Sequence, residues 1–273
     1  MSVRVTNGFC EISTDFFFGE VNGIEVDNVY DMEVFHRAVQ EIHDKKIEFY
    51  QSSDYDLSIL KYCPTIRYIK ISGEADLSVL YDMPQIEGIS IGWLLGDNLH
   101  FDFTKIQNLK QLQVPYNKKN KSIFQLSDLL RLSLSEYNEK DLQKLSTFKN
   151  LQDLSMEFST FNSMNGIEEL SCLRKVTLDY CLRLKDISSL SKLRELKELY
   201  IIDCNKIEQV EKTLGELNAL EKLALRKFET KGGSLQNLDF VKRMQSLQEM
   251  ECSWRILEKS AKNKKYVANI TFC

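Results

Sequence analysis

At 273 residues, 43% hydrophobic and 28% charged, the chain has a globular balance and is long enough for one large or two ordinary domains. Its 36 basic and 40 acidic residues leave a formal charge of −4, without the basic excess that a phosphate backbone would call for; 11 Gly and 3 Pro exclude a collagenous or low-complexity chain. No stretch approaches the roughly 20 apolar residues of a membrane span, and the opening "MSVRVTNGFCEISTDFFFGE" lacks a basic start followed by an apolar run. The expectation is a soluble, cytoplasmic protein.

Residues 1–43 come first and read as a cap. In "GEVNGIEV" the pair Asn22-Gly23 lies between short β-prone runs, which is the signal for a tight hairpin. From Asp31, placed to cap, the residues Val34, Phe35, Ala38, Val39 and Ile42 fall on one helical face. A hairpin plus a helix would shield the open end of the remaining chain.

The rest of the chain is a repeat. "LRKVTLDYC" at 173–181 returns as "LKELYIIDC" at 196–204, and the pattern L-x-x-L-x-L, with other apolar residues allowed, starts at Ile66, Ile86, Leu109, Leu129, Leu151, Leu173, Leu196, Leu220, Leu247 and Val267. A weaker copy begins at Asp44. Alternation at places four and six predicts a short strand. Between strands the apolar residues follow a helical phase, as with Ile187, Leu190 and Leu193. A unit this short cannot bury its apolar edge alone, so neighbours must stack.

In this pattern the chain resembles the leucine-rich repeat family, in an irregular, bacterial-style form. The ninth place, where the family puts Asn or Cys to serve the turn after the strand, holds Asn117, Cys181 and Cys204. The resemblance implies an α/β solenoid over 44–273, of ten to eleven repeats, with a curved parallel β-sheet on the concave face and short helices on the convex face. It also implies a protein-binding role, such as that of a bacterial immunity or regulatory protein.

Stacking turns each place into a row across the sheet. Place three runs Arg131, Asp153, Lys175, Glu198, Lys222, Glu249, alternating in sign at every step, a self-neutralising ladder that leaves no basic track for nucleic acid. Place five is mostly small but includes Tyr200. Place seven supplies Glu157 and Asp179, and place eight, at the strand's C-terminal rim, supplies Trp93, Tyr116, Phe158, Tyr180 and Trp254. Such aromatics either pack against the turn or anchor a partner. The expected partner-binding residues are therefore Trp93, Tyr116, Phe158, Tyr180, Glu157, Asp179 and Tyr200, for a partner with an apolar spot ringed by basic groups.

Catalysis finds little support. Glu157 and Asp179, on adjacent strands, could in principle act as the paired carboxylates of a hydrolase, but a solvated sheet offers no dry pocket to raise either pKa. His36, His43 and His100 have no nucleophile that the sequence places beside them. The seven cysteines are odd in number, scattered and without C-x-x-C, so Cys181 and Cys204 read as buried thiols on neighbouring rungs, with no disulfide framework, no metal and no cofactor. The leading expectation is a monomeric, non-catalytic protein-binding scaffold. The alternatives are self-assembly through a last strand at Val267–Phe272, beside which several lysines stand, and, third, the hydrolase.

Overall fold

The computed structural model describes residues 9–12, 23–26, 46–49, 57–71, 75–92, 101–228, 233–258 and 269–272. The chain divides into two compact units, Met1–Leu129 and Leu130–Cys273, so the division falls inside the repeat run.

In the first unit β1 (Phe9–Ile12) pairs antiparallel with β2 (Gly23–Val26). From β2 onward the pairing is parallel, through β3 (Lys46–Phe49), β4 (Tyr68–Ile71), β5 (Gly88–Ile91) and β6 (Gln111–Pro115). The Asn22-Gly23 pair is not the tight turn expected of it. Gly23 already belongs to β2 and stands opposite Ile12, so the connection spans residues 13–22. The helix expected from Asp31 lies outside the described residues.

The second unit holds β7 (Arg131–Ser135), β8 (Asp153–Glu157), β9 (Lys175–Asp179), β10 (Glu198–Ile202), β11 (Lys222–Arg226), β13 (Glu249–Cys252) and β15 (Asn269–Phe272), each parallel to the next. A separate short pair, β12 (Ser234–Leu235) in the longest repeat with β14 (Arg255–Ile256) in the repeat that follows it, runs beside the main sheet order without belonging to it. The register is the one the sequence rows require: Arg131, Asp153, Lys175, Glu198, Lys222 and Glu249 are successive partners.

Places one, four and six form the core. Leu151, Leu154 and Met156 of one rung, Leu173, Val176 and Leu178 of the next, and Leu196, Leu199 and Ile201 of the third are all buried. Each such side chain stabilises by roughly 1.5–3 kcal/mol relative to exposure. Leu247, also at place one, departs from this and is half-buried.

The returns between strands are mostly 3-10 turns. Apolar residues recur every third position, as in Leu142, Leu145, Phe148 and Leu151, all buried, and the backbone follows with Leu145 N, Phe148 N and Leu151 N donating to the carbonyls three residues back at 2.9, 3.0 and 3.1 Å. A period of three suits the 3-10 geometry better than the 3.6 of an α-helix. The longer return before β11 has room for an α-turn, Val210–Leu214.

The ninth place ties successive rungs together. The Cys181 thiol donates to the Met156 carbonyl at 3.5 Å and Cys204 to Leu178 at 3.6 Å. Where serine replaces cysteine, Tyr137 N donates to Ser159 Oγ at 3.0 Å and that hydroxyl donates to the Glu157 carbonyl at 2.9 Å. A hydrogen bond with Cys204, followed by burial, pushes the Cys181 thiol well above the ordinary range, so it stays a donor.

Gly166 sits at a turn that admits no other residue. Its φ is 103°, and an added Cβ would lie 2.5 Å from Gln143 N on the neighbouring rung. Gly166→Ala is expected to cost about 2 kcal/mol or more, and Leu178→Ala about 2–5 kcal/mol. Both losses are read from urea unfolding midpoints at unchanged slope.

Candidate functional site

Side chains at places three, five and seven of β7–β11 point away from the core, because successive residues of a strand face opposite sides. At place three the alternating charges pair: Arg131 Nε lies 3.3 Å from Asp153 Oδ2, and Lys222 Nζ lies 3.4 Å from Glu249 Oε2. Burial raises the Asp153 pKa, outweighing the cations of Lys175 and Arg131, and the charge of Glu198 acts in the same direction.

Tyr200, at place five of β10, is drawn into this network. Its hydroxyl donates to Glu198 Oε2 at 2.9 Å, Lys175 Nζ sits 5.3 Å from the ring centroid, and the Arg226 guanidinium sits 5.9 Å from it. Burial first, then the Glu198 hydrogen bond, pushes the phenol up to about 12.

Place seven reads Ser135, Glu157, Asp179, Ile202 and Arg226 across β7 to β11. Glu157 Oε1 accepts from two hydroxyls at place five, Ser133 Oγ at 3.0 Å and Ser155 Oγ at 3.2 Å. Arg226 meets Glu251 at 2.5 Å.

The rim has a property that residue types alone do not show. Glu136, Phe158, Tyr180 and Asp203, all at place eight, adopt left-handed backbone conformations with φ of 59°, 48°, 53° and 51°. For a bulky aromatic this is a genuine outlier, of order 1–3 kcal/mol each. The neighbouring strand holds the conformation: the four backbone N–H groups donate to the carbonyls of Glu157, Asp179, Ile202 and Arg226 at 2.9 to 3.0 Å.

This turn separates the rim residues by fate. Phe158 is 40% exposed, and its ring lies 5.1 Å from that of half-buried Tyr180 at 44°. Asp203 turns inward and receives Phe228 N at 3.0 Å. Trp254 is buried, its indole N–H donating to the Arg226 carbonyl at 3.2 Å. In the first unit Tyr116 is 7% exposed and packs edge-on against Phe124 at 6.2 Å, so it lines the turn instead of presenting a surface. Trp93 and the three histidines lie outside the described residues.

The structure therefore gathers Phe158, Tyr180, Glu157, Asp179 and Tyr200 on adjacent rungs of the second unit. It also adds Phe228, 73% exposed, whose one sequence signal is a departure from Asn or Cys at place nine. Among the described residues no three His, Cys, Asp or Glu side chains are grouped to hold a metal, and no helix is long and apolar enough to cross a membrane.

No family model matches the chain, and no curated protein does. Solved structures do. An internalin of Listeria monocytogenes is similar over 89% of this chain and 77% of its own, at 14% identity and a TM-score of 0.58. The Toll–Spatzle complex of Drosophila is similar over 99% of this chain at 11% identity and a TM-score of 0.61. The TLR13–ssRNA13 complex is similar over 84% at 17% identity and a TM-score of 0.53. This chain spans 40% and 38% of the latter two chains. The shared feature is the fold, and it is the leucine-rich repeat solenoid.

Ultraviolet difference titration against Tyr200→Phe should place the Tyr200 phenol near 12, against an ordinary value near 10. Because the folded pKa is raised, the stability contributed by this group is complete below pH 10 and is lost as pH rises through 12. Glu198→Gln should lower the titration only in part, because burial, the larger cause, remains.

Proposed function

We propose that the protein is a non-catalytic binding scaffold that holds a protein partner on the strand rim and the adjoining sheet face of its second unit. The observation that carries this reading is the Phe158–Tyr180 pair. Two large aromatic residues are kept at the surface in a backbone conformation that costs energy, at a rim position where Asp203 and Trp254 are buried. Strain of this kind concentrates at functional sites, and exposed aromatics are the usual anchors of protein interfaces.

Two further features support it. The place-three charges neutralise one another, so no continuous basic track accompanies the aromatics, and a protein fits better than a nucleic acid. Glu157 and Asp179 stand on a half-exposed face, Glu157 already engaged by serine hydroxyls, which favours recognition over acid–base chemistry. The structurally similar Toll is in complex with Spatzle and TLR13 with ssRNA13, so the scaffold itself accommodates either class. The reading includes a reducing, cytoplasmic setting that keeps Cys181 and Cys204 as thiol donors, and a monomer in solution. Assembly through β15 is the second reading, because β15 is the last strand of its sheet among the described residues; a mass that rises with concentration in light scattering would favour it.

Affinity capture with wild type and with the Phe158→Ala, Tyr180→Ala double variant tests the leading reading. The variant is expected to lose its specific partner by tenfold or more, on the scale of about 2 kcal/mol for one hot-spot residue, without a lower unfolding midpoint. Retention of the same partners at equal yield would refute it.

A further inference from the structure

Place nine behaves differently on the β11 rung than on the four rungs before it. Tyr137, Ser159, Cys181 and Cys204 hold that place from β7 to β10, and all four are buried. On the β11 rung the same place is Phe228, which turns outward to 73% exposure, the most exposed large apolar side chain among the described residues.

The backbone that carries this ring is held by both neighbouring rungs. Both carboxylate oxygens of Asp203 accept from Phe228 N, at 3.0 and 3.2 Å, and Ser253 Oγ accepts from Lys227 N at 2.8 Å. Asp203 is itself 3% exposed and left-handed, with φ of 51°. A buried carboxylate and a strained backbone both cost stability, and here they fix a phenylalanine that adds little to the core. The charges beside it are cationic. Lys227 precedes it, and Arg255 stands at place nine of the following rung; both are exposed, and among the described residues neither forms an ion pair. Lys222 and Arg226, on the strand that leads to the same turn, are by contrast paired with Glu249 and Glu251.

We propose that Phe228 is a second anchor of the binding rim, and that it takes an apolar side chain of the protein partner set beside an Asp or Glu, whose carboxylate meets Lys227 and Arg255. An aromatic on a backbone already fixed loses less freedom on binding, and cations without an internal partner can pair across an interface without breaking an existing ion pair. Asp203 and Ser253 act as positioning residues. A basic segment is repelled by the same two cations. An anionic lipid surface fits less well than a protein, because exposed Glu136 stands on the same rim and the chain as a whole is negative. This inference rests on the reading of the rim as a binding surface and names a further part of it.

Panning a random peptide display library on the full chain tests it. Peptides are expected that carry an apolar residue beside Asp or Glu and lose about tenfold or more in affinity on Phe228→Ala, a variant whose urea unfolding midpoint should match wild type. Replacing the peptide's acid by its amide should weaken these peptides, as should the Lys227→Gln, Arg255→Gln double variant. Asp203→Asn keeps an acceptor for Phe228 N and should retain them. Asp203→Ala should lose them while peptides bound through Phe158 and Tyr180 stay, a split that general unfolding would not produce. Phe228-dependent peptides without an acid, or indifferent to the loss of both cations, overturn the acidic partner. Peptides dependent on Phe158 and Tyr180 but none on Phe228 overturn the second anchor and leave the rim reading; peptides dependent on none of the three overturn both. Self-association, or binding to vesicles of anionic phospholipid, that disappears in Phe228→Ala also overturns the proposal.

Discussion

Each repeat depends on the next for its interior. A strand of four or five residues with two inward side chains cannot shield them by itself, so Leu154 and Met156 are dry because Val176 and Leu178 lie against them, and these in turn because of Leu199 and Ile201. The ninth-place thiols add a polar version of the same dependence, each donating to a carbonyl of the preceding strand. Within each unit this mutual burial forces equivalent residues into rows. The charge pattern of the sheet face and the aromatic pairing of the rim both derive from those rows.

The rim shows how the stack can hold a shape the local chain would not choose. A left-handed Phe or Tyr has no intrinsic stability, yet four successive rungs adopt it because each N–H finds the carbonyl of the next strand. The cost is shared with the ladder. The result is that two rings emerge side by side while the equivalent aspartate one rung on folds inward.

Charge follows a division of labour between rows. Place three is balanced from strand to strand and engages Tyr200 through Lys175 and Glu198, while Arg226 of place seven lies over the same ring. Place seven puts Glu157 and Asp179 in register as partners, immediately before the rim aromatics in chain order.

The L-x-x-L-x-L phase determined strands β4 to β11, β13 and β15, the core places, the place-three register and the burial of Cys181 and Cys204 on neighbouring rungs, because each depends only on which side of a period-two strand a residue faces and on one rung repeating the next; the short pair β12–β14 lies outside that phase. The 3-10 geometry of the returns is likewise held in their spacing at threes, although that spacing by itself reads simply as helical. The tertiary structure decided what depends on distant partners. Asn22-Gly23 has local turn chemistry, but pairing with Phe9–Ile12 draws Gly23 into a strand. Tyr116, Phe158 and Trp254 share one place in the repeat, yet Phe124 covers the first, the Arg226 carbonyl takes the indole of the last, and the middle one stays at the surface. Side-chain exposure at a rim is set by the backbone angle and by what the neighbouring turn supplies, and neither is written in the residue's own position.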